Sequence, residues 1–400
     1  MQGKRLLRSI RLKNLLSYGS EGETLELEPL NVLIGPNASG KSNLIDAISV
    51  LAATPRNLLT PFRQAGSSFQ DWLWKGVPET PTAEIETRLD YVEIGGVTSP
   101  LFYRLAFTVS DSRLRIVQEE LEEEDSSPDS FLVHRDLETI VMVPHHPRVA
   151  ADLVSPLVAR LDNQQSVLSQ VRDPANYPQL TYVGTGLGSI GFFRGWQFGP
   201  DSVIRKPQAV NLPDDFLLED ASNLGLVLND LQNRLDTKRL LLEKLKLLYE
   251  EVEDVTTKVQ GGTIQIFFHE KNLDSRKPIS AAWLSDGTLH YLCLLTILLH
   301  PEPPPLICLE EPELGLHPDI LPKVADLLID ASRRTQLIVT THSETLVSRL
   351  SEVPEAVVVC ERDDQGTHLR RLEPEKLRIW LDKYLLGELW RMGEIGGNRW

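Results

Sequence analysis

A glycine-rich run that ends in lysine and serine has the residue types and spacing of a phosphate-binding loop. Gly35 to Ser42 reads Gly-Pro-Asn-Ala-Ser-Gly-Lys-Ser, which fits the P-loop pattern G-x-x-x-x-G-K-[ST]. In such a loop the backbone N–H groups surround the phosphates, the lysine reaches the β- and γ-phosphates, and the serine hydroxyl ligates Mg²⁺. We therefore expect a nucleotide with Mg²⁺ to be bound by Asn37, Gly40, Lys41, Ser42 and Asn43.

Two adjacent glutamates follow an apolar segment later in the chain. Leu306 to Leu309 is apolar throughout and leads directly into Glu310 and Glu311. Because successive side chains of a strand point to opposite sides, two acids at a strand end can do different work. We expect Glu310 to hold the Mg²⁺ shell and Glu311 to polarise an attacking water.

Two shorter runs are candidates for the same site because of where they lie relative to the P-loop and the acid pair. Ser285-Asp-Gly-Thr opens a predicted helix before the acid pair, and a serine and a glycine at a helix N-terminus together suit an anion. His342 follows a predicted strand, where a histidine at the carboxyl edge of a parallel sheet can donate to a γ-phosphate. Alone, these runs would be an ordinary helix cap and a structural histidine. In this context Ser285, Gly287 and His342 are candidate site residues.

The elements that must position these residues alternate between strands and helices. Such alternation is typical of an α/β fold. Long helices are also expected over 150–172 and over 214–253, and in the second of these leucines recur at helical spacing. The pattern around the candidate residues predicts strand 30–34, helix 41–52, strand 264–268, helix 287–299, strand 305–309, helix 318–331, strand 336–340 and a hairpin at 356–372.

The composition is that of a globular chain with an acidic balance. The 400 residues include 41 Lys+Arg and 57 Asp+Glu, a net charge of −16, which argues against a permanent high-affinity nucleic-acid coat. We expect the acidic run from Glu119 to Asp125 to be a solvated loop. We expect neither a membrane span nor a signal peptide, and three isolated cysteines favour a reducing cytoplasm.

In this order the four runs resemble the motifs of the ATP-binding-cassette (ABC) head of the RecF, SMC and overcoming-lysogenization-defect nucleases. Two positions depart from the usual pattern, since Asp286 stands where many relatives have glycine and Glu310 replaces the more usual aspartate. The tail from Trp390 to Trp400 is similar to that of a stand-alone group of ATPases in this branch. The resemblance implies that 35–42 is Walker A, 284–288 the signature motif, 306–311 Walker B, 314–318 the D-loop and His342 the switch histidine.

The resemblance also implies the architecture. We expect an α/β P-loop NTPase, a two-lobed ABC-type ATPase head with an antiparallel β subdomain and a helical insertion. The implied domains are an N-terminal ATPase lobe at 1–118, a linker and helical insertion at 119–258, a C-terminal ATPase lobe at 259–372 and a tail at 373–400.

Further site residues are implied that the four motifs do not contain. A head of this kind needs a glutamine that senses Mg²⁺ and the attacking water, for which Gln170 is the first choice and Gln165 the second. Asn14 and Tyr18 are candidates for contacts with adenine, with Tyr18 stacking on the base. The alternatives are a solvated glutamine and ordinary strand packing.

The resemblance implies a homodimer, because the signature motif cannot reach its own P-loop in such heads. Two ATP molecules would be held between the protomers, and hydrolysis would loosen the dimer. Each site would take Ser285 and Gly287 from one protomer and Lys41, Ser42, Glu310, Glu311 and His342 from the other.

Three functions are compatible with these observations. The first is an ATPase that uses hydrolysis as a timer to control a separate effector or a DNA-linked process, such as repair or defence against mobile elements. The second is a nucleotide-gated scaffold with negligible hydrolysis, and the third a transporter-coupled cassette without a visible membrane-coupling segment. Glu311 favours the first, because a pure scaffold does not need a water-polarising acid. We expect no nuclease domain after His342, and direct contact with DNA stays open.

Overall fold

A computed structural model describes residues 3–92, 98–123, 131–137, 139–142, 161–274 and 276–397. In chain order the strands are β1 (Leu7–Lys13), β2 (Glu23–Glu26), β3 (Leu30–Ile34), β4 (Ala83–Val92), β5 (Thr98–Ser110), β6 (Arg113–Glu123), β7 (Phe131–Arg135), β8 (Ile140–Met142), β9 (Gly191–Phe193), β10 (Gln208–Ala209), β11 (Val252–Gln260), β12 (Thr263–Glu270), β13 (Ile279–Ser280), β14 (Leu306–Glu310), β15 (Gln336–Thr340), β16 (Val357–Asp363) and β17 (Gly366–Arg371). The helices are α1 (Lys41–Ala53), α2 (Thr60–Gln64), α3 (Val167–Gln170), α4 (Pro178–Gly188), α5 (Leu224–Asn233), α6 (Leu235–Leu245), α7 (Asp286–Leu298), α8 (Leu321–Ala331), α9 (Glu344–Arg349), α10 (Pro374–Leu381) and α11 (Leu386–Arg391).

A largely parallel sheet carries the candidate residues, in the order β17-β16-β3-β15-β14-β9. Neighbouring strands pair in parallel, except that β17 is antiparallel to β16. Leu30, Val32 and Ile34 of β3 join one hydrophobic core with α5 to α9, whereas Leu33 joins a second core with α1 and α4. Helices therefore cover both faces of the sheet, as expected for parallel strands. The strand predicted at 336–340 is confirmed as β15.

An antiparallel sheet of the described residues runs in the order β2-β1-β4-β5-β6-β7-β8. Its apolar side chains belong to the same core as α1 and α4. The α/β head with an antiparallel β subdomain, expected from the sequence, is thus confirmed.

The acidic run expected to be a solvated loop lies largely in β6, so that prediction is wrong. Glu119 is buried and accepts hydrogen bonds from the hydroxyls of Tyr103 (2.8 Å) and Ser166. It also lies 3.5 Å from Nη1 of Arg135, which is buried too. The sequence misled because alternate residues of a strand face in and out, and a run of acids hides that alternation. Residues 124 and 125 lie outside the described residues.

A smaller sheet has the strand order β10-β12-β11, with β13 paired to β12. Its strands come after α3 and α4 in the chain. The single helix predicted over 214–253 is two helices, α5 and α6. The second of these ends at Leu245, and β11 begins at Val252. Of the helix predicted at 150–172, α3 covers Val167–Gln170, and 150–160 lie outside the described residues. The predicted boundaries after residues 118 and 258 fall inside β6 and β11; the division into domains stays a prediction.

Across the described ranges, no helix is both long and apolar enough to cross a membrane.

Candidate nucleotide-binding site

The P-loop joins the carboxyl end of β3 to the first turn of α1, and two of its glycines fit tight surroundings. Gly35 has a φ of +150° and Gly40 a φ of +103°, which L side chains rarely adopt. A Cβ at Gly35 would overlap the carbonyl oxygen of Cys360, and a Cβ at Gly40 would lie 2.7 Å from Ser17 Oγ and overlap the Thr367 hydroxyl. The loop therefore rests on β16 and on the start of β17.

Lys41 is folded back onto this loop. Its Nζ donates to the carbonyl oxygens of Gly35 and Pro36, both at 2.9 Å. The side chain is buried, and burial lowers the pKa of its ammonium group, although Cys360 and Glu311 partly offset this. The ammonium is thereby held where a P-loop receives phosphates.

The parallel register brings the other candidates to the same edge of the sheet. Glu310 pairs with Thr340 across β14 and β15, and Thr340 pairs with Leu33 of β3. The P-loop follows β3, Glu311 follows β14 and His342 follows β15. Because these strands are parallel, their carboxyl ends open onto one crevice, where ligands of open α/β sheets bind.

Glu311 has a strained backbone. Its φ is +46°, an uncommon value for a residue with a side chain. Its N–H donates to the Thr340 carbonyl at 3.0 Å and lies 3.3 Å from Thr340 Oγ1. Strain of this kind persists where the surroundings hold it and clusters at functional sites.

His342 lies beside Glu311, with 3.7 Å between His342 Nε2 and Glu311 Oε1. Burial, followed by the charge of Lys41, lowers the pKa of the His342 imidazole, which favours the neutral ring near pH 7. Glu313 holds the turn that carries it, because Glu313 Oε1 accepts from Thr341 Oγ1 and from the His342 N–H, both at 2.7 Å. Sequence reasoning had given Glu313 no role.

The residues present fit a magnesium ion. Glu310 Oε1 is buried and has no hydrogen-bond partner among the described residues, and burial raises the pKa of this carboxyl. A buried, unpartnered carboxylate oxygen is unfavourable unless a cation meets it. Ser42 is exposed in the first turn of α1, on the same edge of the sheet. Mg²⁺ commonly takes few protein ligands beside phosphates and waters, so Glu310 and Ser42 would suffice to hold it.

Ser285 caps α7. Residues 284–288, named here the signature turn, are held by Arg205, which is distant in the chain. Ser285 Oγ accepts from the Thr288 N–H at 3.1 Å. Arg205 forms an ion pair with Asp286 and donates to the Leu284 carbonyl at 2.6 Å. Asp286, which stands where the resemblance led us to expect glycine, is thus the partner of Arg205, and this departure was a sequence signal that could have pointed to an ion pair there.

The signature turn lies against the loop after the acid pair. A Cβ on Gly287 would be 2.8 Å from the Gly315 carbonyl oxygen, and Asp286, Glu310 and Glu311 line one cavity of about 240 Å³. Within the described part of the chain, no hydrogen bond joins Ser285 or Gly287 to the P-loop.

The two glutamines lie away from the P-loop. Gln170 Nε2 donates to the Gln165 carbonyl at 2.9 Å, and Gln170 Oε1 accepts from the Asp162 N–H at 2.8 Å. Gln165 Oε1 accepts from the Leu58 N–H at 3.2 Å. Leu58 lies beyond the carboxyl end of α1, whereas the P-loop lies at the amino end of this helix. The helix is roughly 20 Å long at 1.5 Å per residue. The structure does not bring either glutamine to Lys41.

Tyr18 is fully buried and cannot stack on a base, so that expectation is wrong. Its hydroxyl donates to the Gly40 carbonyl at 3.2 Å from beneath the loop. Asn14 has a φ of +54° and donates from Nδ2 to the Thr82 carbonyl at 3.1 Å. It serves a turn of the β subdomain in this structure, and its contact with adenine stays a prediction.

Polar support beneath the loop comes from residues that sequence reasoning missed. Thr367 Oγ1 donates to Ser17 Oγ at 2.7 Å and lies 2.9 Å from the Ser39 carbonyl oxygen. Asn43 Nδ2 donates to the same Ser17 oxygen at 2.7 Å. Asn43 thus supports the loop from the side of β1, whereas Asn37 lies exposed on its rim. No local pattern could link Thr367 to Ser17, because they are far apart in the chain.

Known proteins are similar to this chain in part of its sequence and in its fold. A 61-residue segment is 49% identical to the DNA replication and repair protein RecF of Exiguobacterium sp. (strain ATCC BAA-1283 / AT1b), a match that spans 14% of this chain and 15% of RecF. An Smc head domain from Pyrococcus furiosus, bound to the C-terminal domain of ScpA, has a similar fold, with a TM-score of 0.57 and 13% identity over 94% of this chain and 99% of that one. A second SmcHead structure, bound to the C-winged helix domain of ScpA, gives a TM-score of 0.55 and 14% identity over 93% and 99% of the two chains.

The family model described as "AAA domain, putative AbiEii toxin, Type IV TA system" matches residues 30–179 and 194–348. These ranges contain the P-loop, the signature turn, the acid pair and His342. The chain therefore belongs to this AAA domain family, with the fold of a RecF- and SMC-like ATPase head.

Proposed function

We propose that the chain binds ATP with Mg²⁺ and hydrolyses it between two protomers of a head-to-tail dimer. The observation that carries the proposal is the shared edge of the parallel sheet, where Lys41, Glu310, Glu311 and His342 lie at the ends of neighbouring strands. A lone P-loop would support binding only. The acid and the histidine beside it support hydrolysis.

Each side chain has a distinct part in this proposal. The P-loop N–H groups and Lys41 bind the phosphates, and Glu311 orients the attacking water. His342, neutral near pH 7 and 3.7 Å from Glu311, donates towards the γ-phosphate. Ser42 and Glu310 would hold Mg²⁺, which would supply positive charge against the phosphates.

The second protomer completes the site. Ser285 and Gly287 have no hydrogen bond to the P-loop within the described residues, so we assign them to the γ-phosphate of the facing protomer. Two exposed apolar side chains flank the signature turn, Trp283 (85% exposed) and Leu314 (55% exposed), which suits a surface that becomes covered. ATP then favours the closed dimer, and hydrolysis removes that bias.

The output of this cycle is control of a separate effector protein or of a DNA-linked process such as repair or defence. The family description names a toxin of toxin–antitoxin systems, and the similar Smc heads were solved with ScpA bound. The matched RecF is a replication and repair protein. A protein partner fits this acidic chain better than a permanent DNA coat. The three cysteines are buried and free, in keeping with a reducing cytoplasm.

The deciding measurement is ATP turnover per protomer as a function of protein concentration, with Glu311→Gln as the blank. We expect the specific rate to rise with concentration in the wild type and to vanish in the variant, which still binds ATP and accumulates as a closed dimer. A rate that is flat and equal in both proteins would reject the shared hydrolytic site and favour the nucleotide-gated scaffold.

Binding is tested separately through Lys41. Lys41→Ala removes the ammonium that the loop holds, so we expect ATP affinity to be lost in equilibrium titration with a fluorescent ATP analogue. Lys246→Ala, at the exposed carboxyl end of α6, is the control for loss of one positive charge. Equal affinity in Lys41→Ala and wild type would refute the P-loop assignment.

A further inference from the structure

The segment Leu386–Gly397, named here the tail clamp, has no part in the proposed reaction but contacts two elements of the nucleotide site. It begins with α11 and ends at Gly396 and Gly397, which have φ values of +74° and +68°. The sequence marked this segment only by its similarity to the tail of other stand-alone ATPases.

The end of the tail clamp lies against the P-loop. A Cβ on Gly397 would be 3.4 Å from the Cα of Gly35 and 2.8 Å from Val359 Cγ1. Gly35 also packs against the Cys360 carbonyl, so it is enclosed by β16 and by the tail clamp. The Gly35 carbonyl accepts from Lys41 Nζ. A shift of Gly397 would therefore reach the lysine that binds phosphate.

Three hydrogen bonds hold this end in place. The Gly397 N–H donates to Glu361 Oε1 at 2.8 Å, and the Trp390 indole N–H donates to the Gly397 carbonyl at 3.1 Å. Arg370 Nη2 donates to the Ile395 carbonyl at 2.6 Å. Two of these partners lie on β16 and β17, the strands on which the P-loop rests.

The start of the tail clamp packs on α9, the helix that follows His342. A Cβ on Gly387 would overlap the Glu344 carbonyl oxygen and the Ser348 hydroxyl, so the two helix backbones are close. The Leu386 N–H donates to Ser351 Oγ at 2.8 Å. One short segment thus contacts both the loop that carries Lys41 and the helix after His342.

We propose that the tail clamp is a positioning element of the nucleotide site, which holds Gly35 and α9 together so that ATP affinity depends on its docking. This inference rests on the proposed ATP binding. Gly397 and its hydrogen-bond partner on β16, Glu361, are the positioning residues. They act on the site through Gly35 and do not touch the nucleotide themselves.

The test compares Gly397→Ala with Gly261→Ala. Gly261, in the turn between β11 and β12, has a φ of +60° with no atom within 4 Å of an added Cβ, so it carries a similar backbone penalty without a contact. We expect Gly397→Ala to bind a fluorescent ATP analogue about tenfold more weakly than wild type, and Gly261→Ala to bind like wild type. The midpoint of thermal unfolding without nucleotide should fall in both variants, and further in Gly397→Ala, because its added Cβ also meets Val359 Cγ1.

A second pair keeps the inference testable if Gly397→Ala does not fold. Glu361→Gln retains an oxygen acceptor for the Gly397 N–H, whereas Glu361→Leu removes it. We expect wild-type affinity in the first and weaker affinity in the second. Wild-type affinity in both Gly397→Ala and Glu361→Leu would overturn the proposal that ATP affinity depends on the docking of the tail clamp. Absence of binding in the wild type would instead overturn the proposed function.

Discussion

At the residue scale, the P-loop depends on polar side chains that support it from beneath. Tyr18 and Thr367 lie at hydrogen-bond distance from the carbonyls of Gly40 and Ser39, and both come from outside the loop sequence. Burial raises the pKa of the Tyr18 phenol, which keeps it protonated and able to donate. A residue expected to contact the base thus supports the backbone that we propose to bind the phosphates.

Replacing Tyr18 by phenylalanine tests this support. The change removes one of two donors to the Gly40 carbonyl, which keeps the Leu44 N–H at 3.2 Å, so we expect the free energy of unfolding to fall by about 1 kcal/mol and ATP affinity to weaken. Urea unfolding and nucleotide titration measure the two effects. Tyr384→Phe is the control, because Tyr384 is 40% exposed. Wild-type stability and affinity in Tyr18→Phe would contradict the assignment.

At the element scale, α7 joins the signature turn to the loop after the acid pair. His290 of α7 is stacked on Phe198, and its Nδ1 is 2.5 Å from the Leu314 carbonyl oxygen. Burial lowers the pKa of His290 to about 4. The ring is therefore neutral in the folded protein at pH values where a histidine of the unfolded chain is already charged.

The stability of this junction is expected to depend on pH. Below the unfolded pKa of about 6.5, the unfolded chain binds a proton at His290 that the folded chain does not, so stability falls as pH drops from about 6.5 to 4. The loss from this residue is on the order of 3 kcal/mol. We expect His290→Gln to lose less stability over this range in denaturant titrations. Parallel pH profiles of variant and wild type would contradict the assignment.

At the scale of the whole molecule, one buried glutamine joins the two large sheets. Gln336 begins β15 of the parallel sheet, and its Oε1 accepts from the N–H groups of Leu6 and Leu7 at 3.1 and 2.9 Å. Its Nε2 donates to the carbonyls of Leu7 and Glu28 at 2.8 and 3.2 Å. The side chain thus fixes β1 of the antiparallel sheet relative to the strand that leads to His342.

Replacing Gln336 by leucine should destabilise the whole head. The change leaves buried backbone groups near the start of β1 without these four hydrogen bonds, so we expect the free energy of unfolding to fall by about 4 kcal/mol, at about 1 kcal/mol per lost hydrogen bond. Chemical denaturation measures this loss, with Gln260→Leu on an exposed strand end as the control. Equal stability of the two variants would show that Gln336 does not join the sheets.

Three central strands of the parallel sheet were predictable because their signals are local, whereas β9 at its edge carried no such signal. Apolar runs marked β3, β14 and β15, and glycine, lysine and paired acids marked their carboxyl ends. Glu119 was not predictable in the same way, since its burial depends on Arg135 and Ser166 from other segments. The prediction for Tyr18 was wrong for a similar reason. Only the packing of the segment after β1 beneath the P-loop decides whether the Tyr18 ring faces a ligand or the core.

The sequence by itself determined the family and the candidate residues: a P-loop, a strand ending in two acids and a histidine after a strand point to phosphate binding and hydrolysis through residue type and short-range spacing. Tertiary structure decided which distant groups support that chemistry. Thr367 beneath the P-loop, Arg205 on the signature turn and Gly397 against Gly35 are contacts between segments far apart in the chain. Such contacts leave no periodic trace, because their geometry arises only when the sheets and helices pack.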